Sequence, residues 1–178
     1  GAFYRGWKNY LLGKIISFHS VSEADSLEFV NSCEAIGSAI TESASPYLES
    51  YKLASWPADM FPCLASLKIH DDLFAHHYDT TRQQWIENVK THLDTSTGLI
   101  PHATHPLTGQ TVQGARGSSI NLMIRILAEI DLAFADQQYK AYKKYFQINR
   151  LGIPATREYP KGKRGRGDID SGPVIMQV

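Results

Sequence analysis

The chain has no charge imbalance, almost no cysteine and no long apolar run. Lys plus Arg and Asp plus Glu both number 18, so the formal net charge is zero. That balance removes any global electrostatic case for nucleic acid or an anionic membrane surface as partner. The two cysteines, Cys33 and Cys63, are too few for a disulfide framework or a zinc site. Both fall in helical patterns, where thiols are expected to act as small buried hydrophobes. No stretch approaches the roughly 18 successive apolar residues that suggest a bilayer span. The longest, from Leu11 to Phe18, is interrupted by Gly13, Lys14 and Ser17. No signal peptide is evident. Gly1 stands where an initiator methionine would, so a processed end or tag remnant is expected, and the compartment stays open.

What is present suffices for one folded domain: 178 residues, 43% hydrophobic and 20% charged. Phe3, Trp7, Tyr10, Leu11, Lys14, Ile15 and Phe18 recur at three- and four-residue steps, a helical stripe weakened by Gly6 and Gly13. Ser20 followed by Glu23 predicts a capping-box start for a helix running to about Thr41. Leu27, Val30, Ile36 and Ile40 line one face, and Gly37 admits a close neighbour. Ser55 ahead of Trp56-Pro57 predicts a third helix start, with Met60, Leu64 and Leu67 following to about Ile69. Thr80 or Thr81 opens a helix through Trp85, Val89 and Leu93. Ser118 or Ser119 opens the cleanest one, with Ile120, Met123, Ile124 and Leu127 in a band. Asp131 caps the last, which carries Phe134, Gln138, Tyr142 and Tyr145. The expected architecture is all-α, with antiparallel helical hairpins side by side and long irregular loops on one rim.

Two segments break the helical text. Residues 94–117 carry threonine-rich turns, two prolines and no helical period. An ordered loop is expected there, with a short hairpin at Leu107–Thr111. Residues 147–178 read as irregular, with a basic run at 161–167 and an apolar end at 173–178. That ending suggests a fragment of a larger protein.

The candidate chemistry lies in these loops. Trp56 and Asp59 stand three apart, so a helix would put a stacking ring beside a carboxylate; the plainer alternative is a helix start with an acid in its positive first turn. His102 and His105 flank a tight bend and are candidates for hydrogen bonding or general acid–base work. Apart from Asp94, no Cys, Asp or Glu stands in that loop to complete a metal site, so no metal or other cofactor is expected. Arg116, between Gly114 and Gly117 at a helix entry, suits a ligand carboxylate or phosphate. The alternative is a glycine turn with a serine cap. Arg157, Glu158 and Tyr159 precede a proline turn, and Asp168 and Asp170 point the same way along an extended chain. Such carboxylates can share a proton or act as acid and base, or they belong to a solvated turn-rich loop.

The series SWPAD, GLIPHATHPLTG, GARGSS, AEIDLAFADQQY and REYPKGKRGRGDIDSGP, spread over residues 55–173, resembles a group of bacterial proteins of poorly defined function. Those proteins are similar to (α/α) toroids of the six-hairpin type, an architecture shared by many glycoside hydrolases, sugar epimerases and polysaccharide lyases. The resemblance implies that residues 1–178 form one helical domain, part of a larger toroid, whose rim loops enclose a cleft. A full ring needs about twice the helices this chain supplies. Half a ring would expose apolar surface and favour self-association into a homo-oligomer.

Three functions follow. The first is a carbohydrate-active enzyme of hydrolase or epimerase type. Asp59, His102, Glu158, Asp168 and Asp170 would be its catalytic candidates, and Trp56, His105, Arg116, Arg157 and Tyr159 would bind its small-molecule ligand. The second is a non-catalytic helical module for interaction or assembly, in which Arg116 and Arg157 pair with the acids as braces. The third is a lyase or isomerase for a small hydrophobic substrate, which calls for an apolar pocket wall.

Overall fold

In the computed structural model, which describes residues 1–165, six α-helices carry most of the chain. They are α1 (Ala2–Phe18), α2 (Glu23–Glu42), α3 (Met60–Leu73), α4 (Asp79–Lys90), α5 (Gly117–Ile130) and α6 (Leu132–Tyr145). A single 3-10 turn, Pro57–Asp59, leads into α3. The helical reading therefore holds, but the described chain is not purely helical. Two small antiparallel hairpins interrupt it: β1 (Ala103–Thr104) with β2 (Thr111–Gln113), and β3 (Gln147–Arg150) with β4 (Ile153–Thr156). The first lies in the loop where a hairpin was expected, with Leu107 in its turn and Thr111 opening β2. The second falls in a segment that reads as irregular. Leu151 and Gly152, both with positive φ, turn it tightly enough for the flanking residues to pair.

Helix α1 packs against α3, α3 against α5 and α5 against α6, while α2 packs on α1 and α3, and α4 on α3 and α2. Helix α3 is the centre of the domain. Met60, Phe61, Leu64, Leu67 and Ile69 are buried together with Cys63, Ser66 and His70, so its burial runs round the whole cylinder. A helix of that composition is stable only with neighbours on all sides. Pro62 is tolerated because a first-turn amide has no intrahelical acceptor to lose.

Helix α1 corrects the sequence reading. Its packed residues are Ala2, Gly6, Asn9 and Gly13, whereas Phe3, Leu11, Ile15 and Phe18 are exposed. Small residues won the inner face because the neighbours come too close for larger ones. A Cβ on Gly6 would lie 2.6 Å from Cys63 Sγ, and one on Gly13 would lie 2.6 Å from the Phe29 ring. Gly37 admits Tyr78 in the same way.

Several helix starts also moved. Ser22, rather than Ser20, caps α2 by accepting from Asp25 N. Trp56 and Tyr78 precede the 3-10 turn and α4 without side-chain caps. Asp131 caps α6 as expected, accepting from Phe134 N at 2.9 Å. Cys33 and Cys63 are buried free thiols, each pushed up to about 12 by burial, as small hydrophobes would be.

Candidate functional site

One cleft of about 680 Å³ opens where α1, the 3-10 turn before α3, and α5 all begin. Phe3 and Trp7 come from α1, Ala58 and Asp59 from the 3-10 turn, and Ser118, Ser119 and Leu122 from α5. Tyr51, Trp56 and His102 complete the lining from loops.

The aromatic wall is built by a turn. Tyr51 and Ala54 form a bridge, with Leu53 held at φ 61 in the left-handed region. A branched-chain residue there costs roughly 1 kcal/mol or more, so the surrounding contacts must hold it. The turn presents Tyr51 edge-on to Trp56 at 5.5 Å between ring centres, and Phe3 stacks on Tyr51 at 6.2 Å. Ser50 fixes Trp56 from behind: its Oγ accepts from Trp56 N at 3.0 Å.

His102 reaches the same place because its loop is fastened at both ends. Asp94 N donates to Leu99 O at 2.8 Å, and the Asp94 carboxylate accepts from Ser96, from Thr97 Oγ1 at 2.8 Å and from Ala115 N at 3.2 Å. Burial works to raise the Asp94 pKa, but these donors outweigh it and hold the group below the usual carboxylate range. Gln138, deep in α6, accepts from Ile100 N and donates to Gly98 O, both at 3.0 Å. Thr104 N donates to Ser55 O at 3.0 Å, which ties β1 to the chain just before Trp56. The buried His102 ring then lies with Nδ1 2.7 Å from Ser119 Oγ.

Trp56, Asp59 and His102, three residues expected from sequence to work together, thus line one cleft. Glu158 stands beside it in another capacity. Its carboxylate accepts from Ser118 N and Ser118 Oγ, both at 3.0 Å, and its carbonyl accepts from Gly117 N at 3.0 Å. Arg116 Nη1 lies 3.8 Å from the same carboxylate, and its guanidinium sits over the Tyr159 ring at 5.2 Å. The helix entry expected to hold a ligand anion is therefore filled by the protein's own Glu158. Arg157 is half-buried and bonds Phe146 O through its backbone amide. His105 is exposed in the turn between β1 and β2, where its Nδ1 accepts from Leu107 N. Asp168 and Asp170 lie outside the described residues.

Sequence reasoning missed Phe3, Trp7, Tyr51, Ser118 and Ser119 as lining residues. The first two sit on a helix stripe that reads as core, and Tyr51 lies in a stretch with no clear period. The clasp at Asp94 had a legible signal, since Asp-x-Ser-Thr-Gly is a common side-chain-to-backbone turn.

Among the described residues, the grouping whose donors approach one another closely enough for a metal ion is Asp71, His76 and Asp79. There Arg82 already bonds both carboxylates, and His77 N and Tyr78 N donate to Asp71 as well. A guanidinium holds the charge that a cation would bring, so this cluster is the knot that joins α3 to α4. Compared with known families and curated proteins, the chain matches no family model and no curated sequence, so the reading of the cleft rests on its own geometry.

Proposed function

We propose that the cleft is the active site of an enzyme that moves protons on a small, mostly apolar molecule carrying a hydroxyl group, in the manner of a lyase or isomerase. The carrying observation is that one carboxylate, Asp59, and one imidazole, His102, line a cleft whose other walls are largely carbon. An acid and a base at one site are what such chemistry needs. One group protonates the departing hydroxyl, which leaves as water, and the other takes a proton from the neighbouring carbon, so that an alkene forms. Return of water or of the proton at a different carbon gives isomerisation.

Polarity favours this substrate class. An unmatched hydroxyl taken out of water costs about 1–3 kcal/mol. Ser118 in the lining is engaged by Glu158 and Ser119 by His102. A substrate with one hydroxyl can be satisfied by such a lining, whereas a polyhydroxylated one asks for more partners. The cleft also falls in the size range of small-molecule sites, roughly 300–1,000 Å³.

A second reading, a carbohydrate-active hydrolase or epimerase, draws support from the flat faces of Trp7, Tyr51 and Trp56, which suit the C–H face of a sugar. The packing of α1 on α3 and of α3 on α5 is compatible with an arc of an (α/α) toroid under either reading. Arg116, Glu158 and Ser118 act in both as a brace of the site.

The test is turnover by the whole chain in deuterated buffer. Alkenols of graded length form one panel, and oligosaccharides and reducing sugars the other. Water loss, deuterium uptake or glycosidic cleavage is followed by NMR and mass spectrometry. Alkenol turnover that disappears in Asp59→Asn and in His102→Gln is the expected result. Turnover of sugars alone would move the assignment to the second reading. No reaction and no quenching of tryptophan fluorescence by either panel would remove the enzyme reading.

A further inference from the structure

We propose that the bridge of Tyr10 and Lys14 on α1 to Glu129 on α5 is the end-stop of the cleft and sets the length of substrate it accepts. The inference rests on the proposed reading that the cleft takes a mostly apolar molecule.

Two helix faces meet along this line. Phe3, Trp7, Tyr10 and Lys14 stand at positions i, i+4, i+7 and i+11 of α1, so they share one face. Ser118, Leu122, Arg125 and Glu129 repeat the same spacing on α5. The first two residues of each face line the cleft, and the last two of each do not. Further along, the faces are joined to one another instead. Tyr10 Oη donates to the two Glu129 carboxylate oxygens at 3.1 and 3.2 Å, and Lys14 Nζ donates to Glu129 Oε2 at 2.8 Å. Arg125 Nη1 donates to Glu129 Oε1 at 2.6 Å from within α5. Both helices therefore run the same way from the cleft, and the groove between them passes from carbon walls to an ionic bridge. Tyr10 stands edge-on to Trp7 with ring centres 6.1 Å apart, so the bridge abuts the cleft wall.

The energetics make such a bridge a stop. Each methylene that finds apolar wall beside Trp7 and Leu122 should tighten binding about fourfold. That gain ends at Glu129. Partial burial works to raise the Glu129 pKa, but the bonds from Lys14 and Arg125 outweigh it and hold the group below the usual carboxylate range. The bridge is thus charged at neutral pH. A chain carbon driven into its place would part a carboxylate from its donors away from water, which costs far more than one methylene returns.

The test is calorimetric titration of the whole chain with straight-chain primary alcohols of graded length. With the wild-type chain, affinity should rise about fourfold per methylene and then stop rising at a definite length. Tyr10→Ala combined with Glu129→Ala removes both sides of the bridge, and the rise should continue for about one helical turn more, roughly 5 Å of chain. Glu129→Gln keeps the bulk of the bridge and an acceptor for Tyr10, and should hold the wild-type limit. A folded double variant with an unmoved limit would overturn the proposal, as would a wild-type series with no limit. Should the double variant not fold, Glu129→Ala alone decides: it leaves the Tyr10 ring on Trp7, should still lengthen the limit by a smaller step, and overturns the proposal if it does not. Alcohol binding with an unmoved limit removes this inference alone. No binding of any alcohol by the wild-type chain removes the apolar reading of the cleft and this inference with it.

Discussion

The carboxylate of Glu158 caps helix α5 from a distant segment, accepting at 3.0 Å from both the amide and the hydroxyl of Ser118. The residue before the helix, Arg116, offers no side-chain cap of its own. Orphan amides at a helix start need an acceptor, and here tertiary structure supplies it. Because Ser118 and Ser119 also line the cleft, the same bond fixes one wall of the site.

Removing that cap is expected to be costly. Glu158→Ala leaves the amide and hydroxyl of Ser118 without their acceptor, and should lower stability by about 2–3 kcal/mol. Glu158→Gln keeps one acceptor oxygen and should lose less. Denaturant unfolding of both variants measures the difference, and equal losses would show that charge alone matters.

Gly117→Ala tests the packing of the same junction. Inside an exposed helix, alanine is favoured over glycine by about 1 kcal/mol. Here the added Cβ would lie 1.9 Å from the Arg157 carbonyl oxygen and 2.7 Å from Thr156 Cγ2. Overpacking of that kind costs about 1–3 kcal/mol or more, so the steric term should win. A lowered melting temperature is expected; a raised one would mean that β4 moves aside freely.

Asp94 and Asp71 give the fold a stability that depends on acid. For each, burial works to raise the pKa, and the surrounding donors more than reverse it. The folded pKa then lies below the unfolded value near 3.8. The stabilisation is full above that value and is lost as pH falls through the lower, folded one. Unfolding free energy measured from neutral pH downward should therefore fall below about pH 4. Asp94→Asn should flatten part of that decline.

Cys33 and Cys63 should not react while the chain is folded. With both thiols pushed up to about 12 by burial, almost no thiolate exists at pH 8. Titration with a disulfide reagent should detect no fast thiol in native protein and two after unfolding.

Asp59→Asn and His102→Gln bear on the chemistry itself. Each should reduce proton-transfer turnover by about a hundredfold or more. Circular dichroism of the two variants checks that the helices remain. Loss of turnover together with loss of helix would assign the effect to folding.

The sequence alone determined the number of helices, the breaks between them, the Asp131 cap and the burial of the two thiols, because periodicity, capping residues and hydrophobicity act over one or two turns. It also marked Trp56, Asp59 and His102 as residues to watch. It could not show which face of α1 turns inward, since Gly6 and Gly13 win that face only through what Cys63 and Phe29 need beside them. Nor could it separate Glu158 from Asp59, because both are acids in loop-rich text. Only the tertiary structure gave one carboxylate to the start of α5 and the other to the cleft, and brought Ser119 to His102. Those pairings join segments far apart in the chain, and the energy of a hydrogen bond or close contact is decided by distance in space, which local sequence does not encode.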